Sequence, residues 1–152
     1  MQYIITCPKP IDTSITLPAS KSISNRALII QALTKGGMIP ENLSDCDDTE
    51  VIIHGLNKQS DIIDIKAAGT AMRFMTAYLS ATNSENTITG TERMKHRPIG
   101  ILVDALRDLG AEIEYVGEEG YPPLHIRGRQ LEGGSLQIPG NVSSQYISAL
   151  LM

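Results

Sequence analysis

The strongest constraint on the fold is the order in which hydrophobic patterning changes between Asp61 and Arg127. Asp61–Ile65 is rich in β-branched residues and reads as a strand. Ala68-Gly69-Thr70 then opens a helix to about Ser80, apolar nearly all round (Ala71, Met72, Phe74, Met75, Tyr78, Leu79) and therefore expected to be buried. Asn86–Thr89 returns as a strand. Pro98 suits the first position of a helix, and Ile99, Leu102, Val103, Leu106 and Leu109 repeat at helical spacing until Gly110 stops them. Glu112–Val116 and Leu124–Arg127 close the series as strands. Strand–helix–strand–helix–strand–strand is an α/β (α+β) order, and its turn chemistry recurs along the chain.

The flanking segments follow the same rules. Gln2–Cys7 and Ser14–Leu17 read as short strands, the first ended by Pro8 and Pro10. A helix is expected from about Lys21 to Thr34, with Ile23, Ala27, Ile30 and Leu33 roughly on one apolar face and Gly36-Gly37 as its stop. Met38–Leu43 reads as extended, and Asp48–Asn57 as a helix with Ile52 and Leu56 inward. Ser135–Ile138 reads as a strand and Ser143–Met152 as the start of a last helix. The final residues, Ala149-Leu150-Leu151-Met152, lie inside an apolar helical pattern, so the chain is expected to be a piece of a longer protein with an incomplete last domain.

Composition excludes several classes. The 152 residues carry a net charge of −4, which gives no global field for a polyanion, so any anion site must be local. One Phe, five Tyr and no Trp leave few platforms for stacking bases. Cys7 and Cys46 make neither a disulfide framework nor a zinc motif, and reduced thiols together with an N-terminus lacking a signal pattern point to the cytoplasm. Walker A and G-x-G-x-x-G loops are absent. Asp45, Asp47 and Asp48 lack calcium-loop spacing and read as helix capping. His54, His96 and His125 are scattered, and none is assigned to catalysis.

The chemistry concentrates at helix starts. Ser20, Ala68-Gly69-Thr70 and Ser143-Ser144-Gln145 each open a helix with small or hydroxyl residues, and such ends can converge on one anion. Lys21 and Arg26 sit near the first of these ends, where cations are unfavourable for the helix alone and a bound anion would account for them. On those residues alone, a solvated first turn accounts for the charges slightly better. Arg93, Lys95, His96 and Arg97 form the densest basic cluster, which suits either a phosphate or carboxylate clamp or a solvated loop. Arg73 suits an anion contact or an ion-pair partner inside the fold, and reads as structural because its helix is expected to be buried.

Pro18–Leu33 with its S-K-S-x-S-N-R run, Ala68–Arg73, Arg93–Gly100 and Ser143–Tyr146 together resemble the EPSP synthases, the 3-phosphoshikimate 1-carboxyvinyltransferase family. The resemblance covers essentially the whole chain and only the N-terminal part of the family's length. It implies an enolpyruvyl transferase-like fold of repeated βαβαββ units, with helices packed on mixed four-stranded sheets. Residues 1–17 would be the first strands of one domain, and 18–152 most of two units of the other. It implies transfer of the enolpyruvyl group of phosphoenolpyruvate to the 5-hydroxyl of shikimate 3-phosphate. Lys21 would be catalytic and bridge both substrates. Ser22, Arg26, Ser143 and Ser144 would hold shikimate 3-phosphate, Gly69 and Arg97 phosphoenolpyruvate, and Gln145 both.

No metal or organic cofactor, nucleic acid or membrane partner is implied. The full-length protein would be a monomer, and apolar surface left by a missing domain would favour self-association of the chain alone. The acid–base carboxylates would lie outside this chain, leaving it inactive by itself. Two departures stand out. Ala67 replaces a common asparagine near the phosphoenolpyruvate loop, and Phe74 replaces a frequent proline with an expected effect on packing only. The sister family acting on UDP-N-acetylglucosamine lacks the S-K-S-x-S-N-R signature and would carry a cysteine where this chain has Arg93–Arg97.

Overall fold

A computed structural model describes residues 2–4, 6, 10, 12–34, 37–57 and 60–152. The pattern between Asp61 and Arg127 folds as one βαβαββ unit: β1 (Ile62–Asp64), α3 (Gly69–Ala81), β2 (Glu85–Thr89), α5 (Gly100–Asp108), β3 (Glu112–Tyr115) and β4 (Leu124–Arg127). The strands form one mixed sheet in the order β1-β2-β4-β3. β1 pairs parallel to β2, while β2–β4 and β3–β4 are antiparallel. Alternation decides the faces. Ile63, Ile88, Ile113, Leu124 and Ile126 are buried inward. On the other face Arg127 bridges Glu85 and Glu114, and His125 reaches Glu85 at 3.2 Å. Exposed pairs of this kind add little stability and keep that face in water.

α3 is the centre of the molecule. It lies against β2, β4 and α5 and against three flanking helices, α1 (Lys21–Leu33), α2 (Asp47–Leu56) and α6 (Ser144–Leu151). That is why its apolar residues run all round. Two of its buried hydroxyls are satisfied within the helix, Thr76 donating to the Met72 carbonyl and Ser80 to that of Thr76, each at 2.7 Å. α5 ends as Gly110 requires. At φ +95° its N–H bonds Arg107 and the next N–H bonds Leu106, the paired pattern of a left-handed cap.

Several expectations are corrected. α1 turns Ser24, Asn25, Leu28 and Ile29 inward, leaving Ile23 71% and Ile30 48% exposed. The polar residues face inward because they have partners there: Ser24 Oγ accepts from the Ser44 N–H at 2.9 Å, and Asn25 Oδ1 from the Thr49 hydroxyl at 2.8 Å. Ser14–Leu17, Ser135–Ile138 and the described residues of Gln2–Cys7 form no ladder, because a strand exists only beside a partner and no described strand lies alongside them. Cys7, Pro8 and Gly36, on which other expectations rest, lie outside the described residues.

The Arg93–Arg97 loop contains a helical turn, α4 (Glu92–Lys95). Pro98 precedes the cap of α5 rather than opening the helix, because Ile99, at φ −137°, is non-helical, with its N–H bonded to the Gly120 carbonyl at 2.9 Å. α2 is capped by the Cys46 backbone and not by an aspartate side chain. Among the described residues no helix is long and apolar enough to cross a membrane.

Candidate functional site

Three helices, α1, α3 and α6, carry at their N-termini the residues the sequence singled out. At α1, Ser20 caps as expected, its Oγ accepting from Ile23 at 3.4 Å and its carbonyl from Ser24 at 2.9 Å. Lys21 lies 3.5 Å from Asp48 in the first turn of α2, so Asp48 is an ion-pair partner that capping arguments did not anticipate. Ser22 is exposed, and its carbonyl accepts from Arg26 Nη1 at 3.0 Å. Arg26 Nη2 donates to Ser148 of α6 at 3.2 Å, and the guanidinium lies 5.4 Å over the Phe74 ring. Arg26 thus joins α1, α3 and α6. Phe74 does more than fill space, since it supports a candidate binding residue through a cation–π contact.

At α3 the cap residue Ala68 has no side-chain acceptor. The backbone N–H groups of the first turn, which no helix pairs internally, therefore have no side-chain cap and favour an anion. The Arg97 guanidinium packs directly on Gly69: a Cβ built there would lie 2.8 Å from Arg97 Cζ and 2.9 Å from Nη2, and closer still to Nη1. Only glycine permits this approach without displacing Arg97. The rest of the basic cluster does not act as one clamp. Lys95 pairs with Glu92 at 2.7 Å, which holds the Glu92 carboxyl below its usual value, and His96 bonds the Glu92 carbonyl.

At α6, Ser143 is the cap and accepts from the Gln145 N–H at 3.3 Å, while Ser144 is exposed. Gln145 Nε2 donates to the Thr70 hydroxyl at 3.1 Å. The structure therefore gathers Gly69, Thr70, Arg97 and Gln145, ties Arg26 to the Ser22 carbonyl and to Ser148, and directs Lys21 to Asp48 rather than to either group. Beneath them, Arg73 donates to the Gly69 carbonyl at 2.7 Å and stacks 4.8 Å over the Tyr146 ring. Arg73 is buried, as its helix suggested, and has no ion-pair partner among the described residues. Tyr146 carried no assigned role, and its adjacency to Gln145 was the one available signal.

Beside this cluster, burial raises the Cys46 thiol pKa, but hydrogen bonding with the Ser44 and Thr49 side chains and with the backbone of Thr49 and Asp48 outweighs it and holds the pKa below its ordinary value. Among the described residues no group of three or more His, Cys, Asp or Glu side chains could hold a metal ion. The arrangement offers helix N-termini, a guanidinium, hydroxyls and an amide, which together suit small polyanions.

The family model for EPSP synthase (3-phosphoshikimate 1-carboxyvinyltransferase) matches residues 5–61 and 51–152. A 3-phosphoshikimate 1-carboxyvinyltransferase of Bacteroides fragilis is 65% identical over 152 residues, covering 100% of this chain and 37% of its own. Its counterpart in Tolumonas auensis is 42% identical over 168 residues, covering 93% of this chain and 39% of its own. The structure of EPSP synthase from Acinetobacter baumannii superposes with a TM-score of 0.81 at 24% identity, over 90% of this chain and 36% of that one, and carries the fold alone. This chain thus spans about 37% of the length of the Bacteroides relative.

Proposed function

This chain belongs to the EPSP synthase family, and we propose that the protein it forms part of transfers the enolpyruvyl group of phosphoenolpyruvate to the 5-hydroxyl of shikimate 3-phosphate. The 5-hydroxyl adds to C2 of phosphoenolpyruvate, and phosphate leaves from the tetrahedral intermediate. Both substrates are polyanions, so the reaction needs cations and oriented N–H groups placed where charge develops. The observation that carries the reading is the Arg97 guanidinium seated on Gly69 at the uncapped start of α3, with Gln145 bonded to Thr70 beside it.

In this reading Lys21 is catalytic and bridges both substrates, exchanging its partly exposed pair with Asp48 for substrate oxygens. Ser22, Arg26, Ser143 and Ser144 hold shikimate 3-phosphate. Gly69 and Arg97 hold phosphoenolpyruvate, and Gln145 touches both. Residues 1–17 belong to a second domain and 18–152 to most of two βαβαββ units of the substrate-binding domain. The protein acts in the cytoplasm as a monomer, without nucleic acid, and this chain alone is inactive.

Calorimetric titration of shikimate 3-phosphate into the full-length protein tests the reading. Saturable binding that a Lys21→Ala, Arg26→Ala variant loses is the expected result. A folded full-length protein that does not bind shikimate 3-phosphate would overturn it.

A further inference from the structure

Arg73 and Tyr146 form a buried pair that this reading does not use. Arg73 is 7% exposed and Tyr146 5%. No carboxylate meets the Arg73 charge among the described residues. Nη1 donates to the Gly69 carbonyl at 2.7 Å, Nη2 to the Tyr146 hydroxyl at 3.4 Å, and Nε has no partner. The Tyr146 hydroxyl in turn donates to the Pro98 carbonyl at 2.8 Å. A cation donating to a hydroxyl oxygen polarises its O–H and strengthens the onward bond. Burying a guanidinium without a counter-charge is costly, so this one is held for what it positions.

What it positions is the segment carrying Arg97. The Arg97 N–H bonds the carbonyl of Met94, a fully buried anchor, and the next residue, Pro98, is pinned by Tyr146. The backbone that carries the exposed Arg97 side chain is thus held on both sides, while Arg73 holds the carbonyl of Gly69, against whose Cα that side chain rests. Gln145 is joined to Tyr146 directly in sequence and to Thr70 by its side chain. We infer that Tyr146, held by Arg73, is a positioning residue that sets Arg97 against Gly69 for phosphoenolpyruvate. The inference rests on the functional reading above for its ligand, but not for its geometry.

Tyr146→Phe in the full-length protein keeps the ring and deletes the hydroxyl. KM for phosphoenolpyruvate is expected to rise about fivefold, the worth of one ordinary hydrogen bond. KM for shikimate 3-phosphate stays unchanged, and Arg73→Lys reproduces the same selective rise. In an Arg97→Lys background, Tyr146→Phe changes KM for phosphoenolpyruvate by less than about twofold, because its effect passes through Arg97. Equal effects in both backgrounds, or a joint rise in both KM values, overturn the inference.

A second measurement needs no turnover. The Arg97 Nε–H resonance, identified by its loss in Arg97→Lys, should show a markedly lower order parameter in Tyr146→Phe. An unchanged order parameter overturns the inference even in an inactive protein. Absence of transfer by the wild-type full-length protein instead overturns the functional reading.

Discussion

Gly69→Ala separates the two things Gly69 does, opening α3 and admitting Arg97. The added methyl would sit 2.8 Å from Arg97 Cζ and 2.9 Å from Nη2. These atoms are the far end of a flexible, exposed side chain, so Arg97 swings away rather than the helix yielding. The stability change has two opposing parts. Alanine in place of glycine favours a helix by up to about 1 kcal/mol. Driving Arg97 to a poorer rotamer costs about 0.5–1.5 kcal/mol. They cancel to within about 1 kcal/mol, and the melting temperature of the full-length protein should barely move. Affinity for phosphoenolpyruvate does not cancel. Losing a hydrogen bond from a charged group costs about 1.5–3 kcal/mol, or roughly 10- to 150-fold in affinity. Paired thermal melts and calorimetric titrations read both quantities on one sample. Wild-type affinity in the variant would refute the placement of Arg97 as an anion contact. A loss of more than about 3 kcal/mol of stability would refute the claim that only a side-chain end is displaced.

Three further outcomes follow from the same structure. Gly128→Ala should be severely destabilising, since a Cβ there would meet the backbone carbonyls of Leu79 and Thr82, which cannot swing aside. Overpacking against backbone costs about 1–3 kcal/mol or more, and urea unfolding near wild type would refute it. Thr49→Val should cost about 1–3 kcal/mol by the same measurement, because it strips the one hydrogen bond from the fully buried Asn25 amide, whose nitrogen already lacks a partner. Cys46, in a Cys7→Ser background, should alkylate with a pH midpoint below that of a free thiol. The sign is that of an acid stabilised when ionised: the lowered pKa adds stability above the unfolded-state value, and this is lost as pH falls through the folded-state value. A midpoint at or above the free-thiol value would refute it.

Local chemistry determined much of this protein by itself. Periodicity located α1, α2, α3, α5 and α6, because helices are specified by neighbours three and four residues away, and glycine or a hydroxyl residue marked several of their ends. The continuous apolar surface of α3 revealed its central position for the same reason. The strand series from Asp61 to Arg127 was legible because alternation survives in a sheet with one wet face.

Tertiary structure decided what depends on distant partners. Ser14–Leu17 and Ser135–Ile138 have β-forming residues, but ladder pairing lies outside the segment itself. The inward face of α1 belongs to Ser24 and Asn25, because Ser44 and Thr49 satisfy them from across the fold. The candidate site shows the same division. Residue types and helix starts allowed an anion site beside a solvated alternative, yet only folding set Arg97 on Gly69, brought Gln145 to Thr70 across 75 residues, and placed Tyr146 beneath Pro98. A sequence states which groups can bind an anion. Their distances are set by the core that packs between them, and α3 is the element that brings them together.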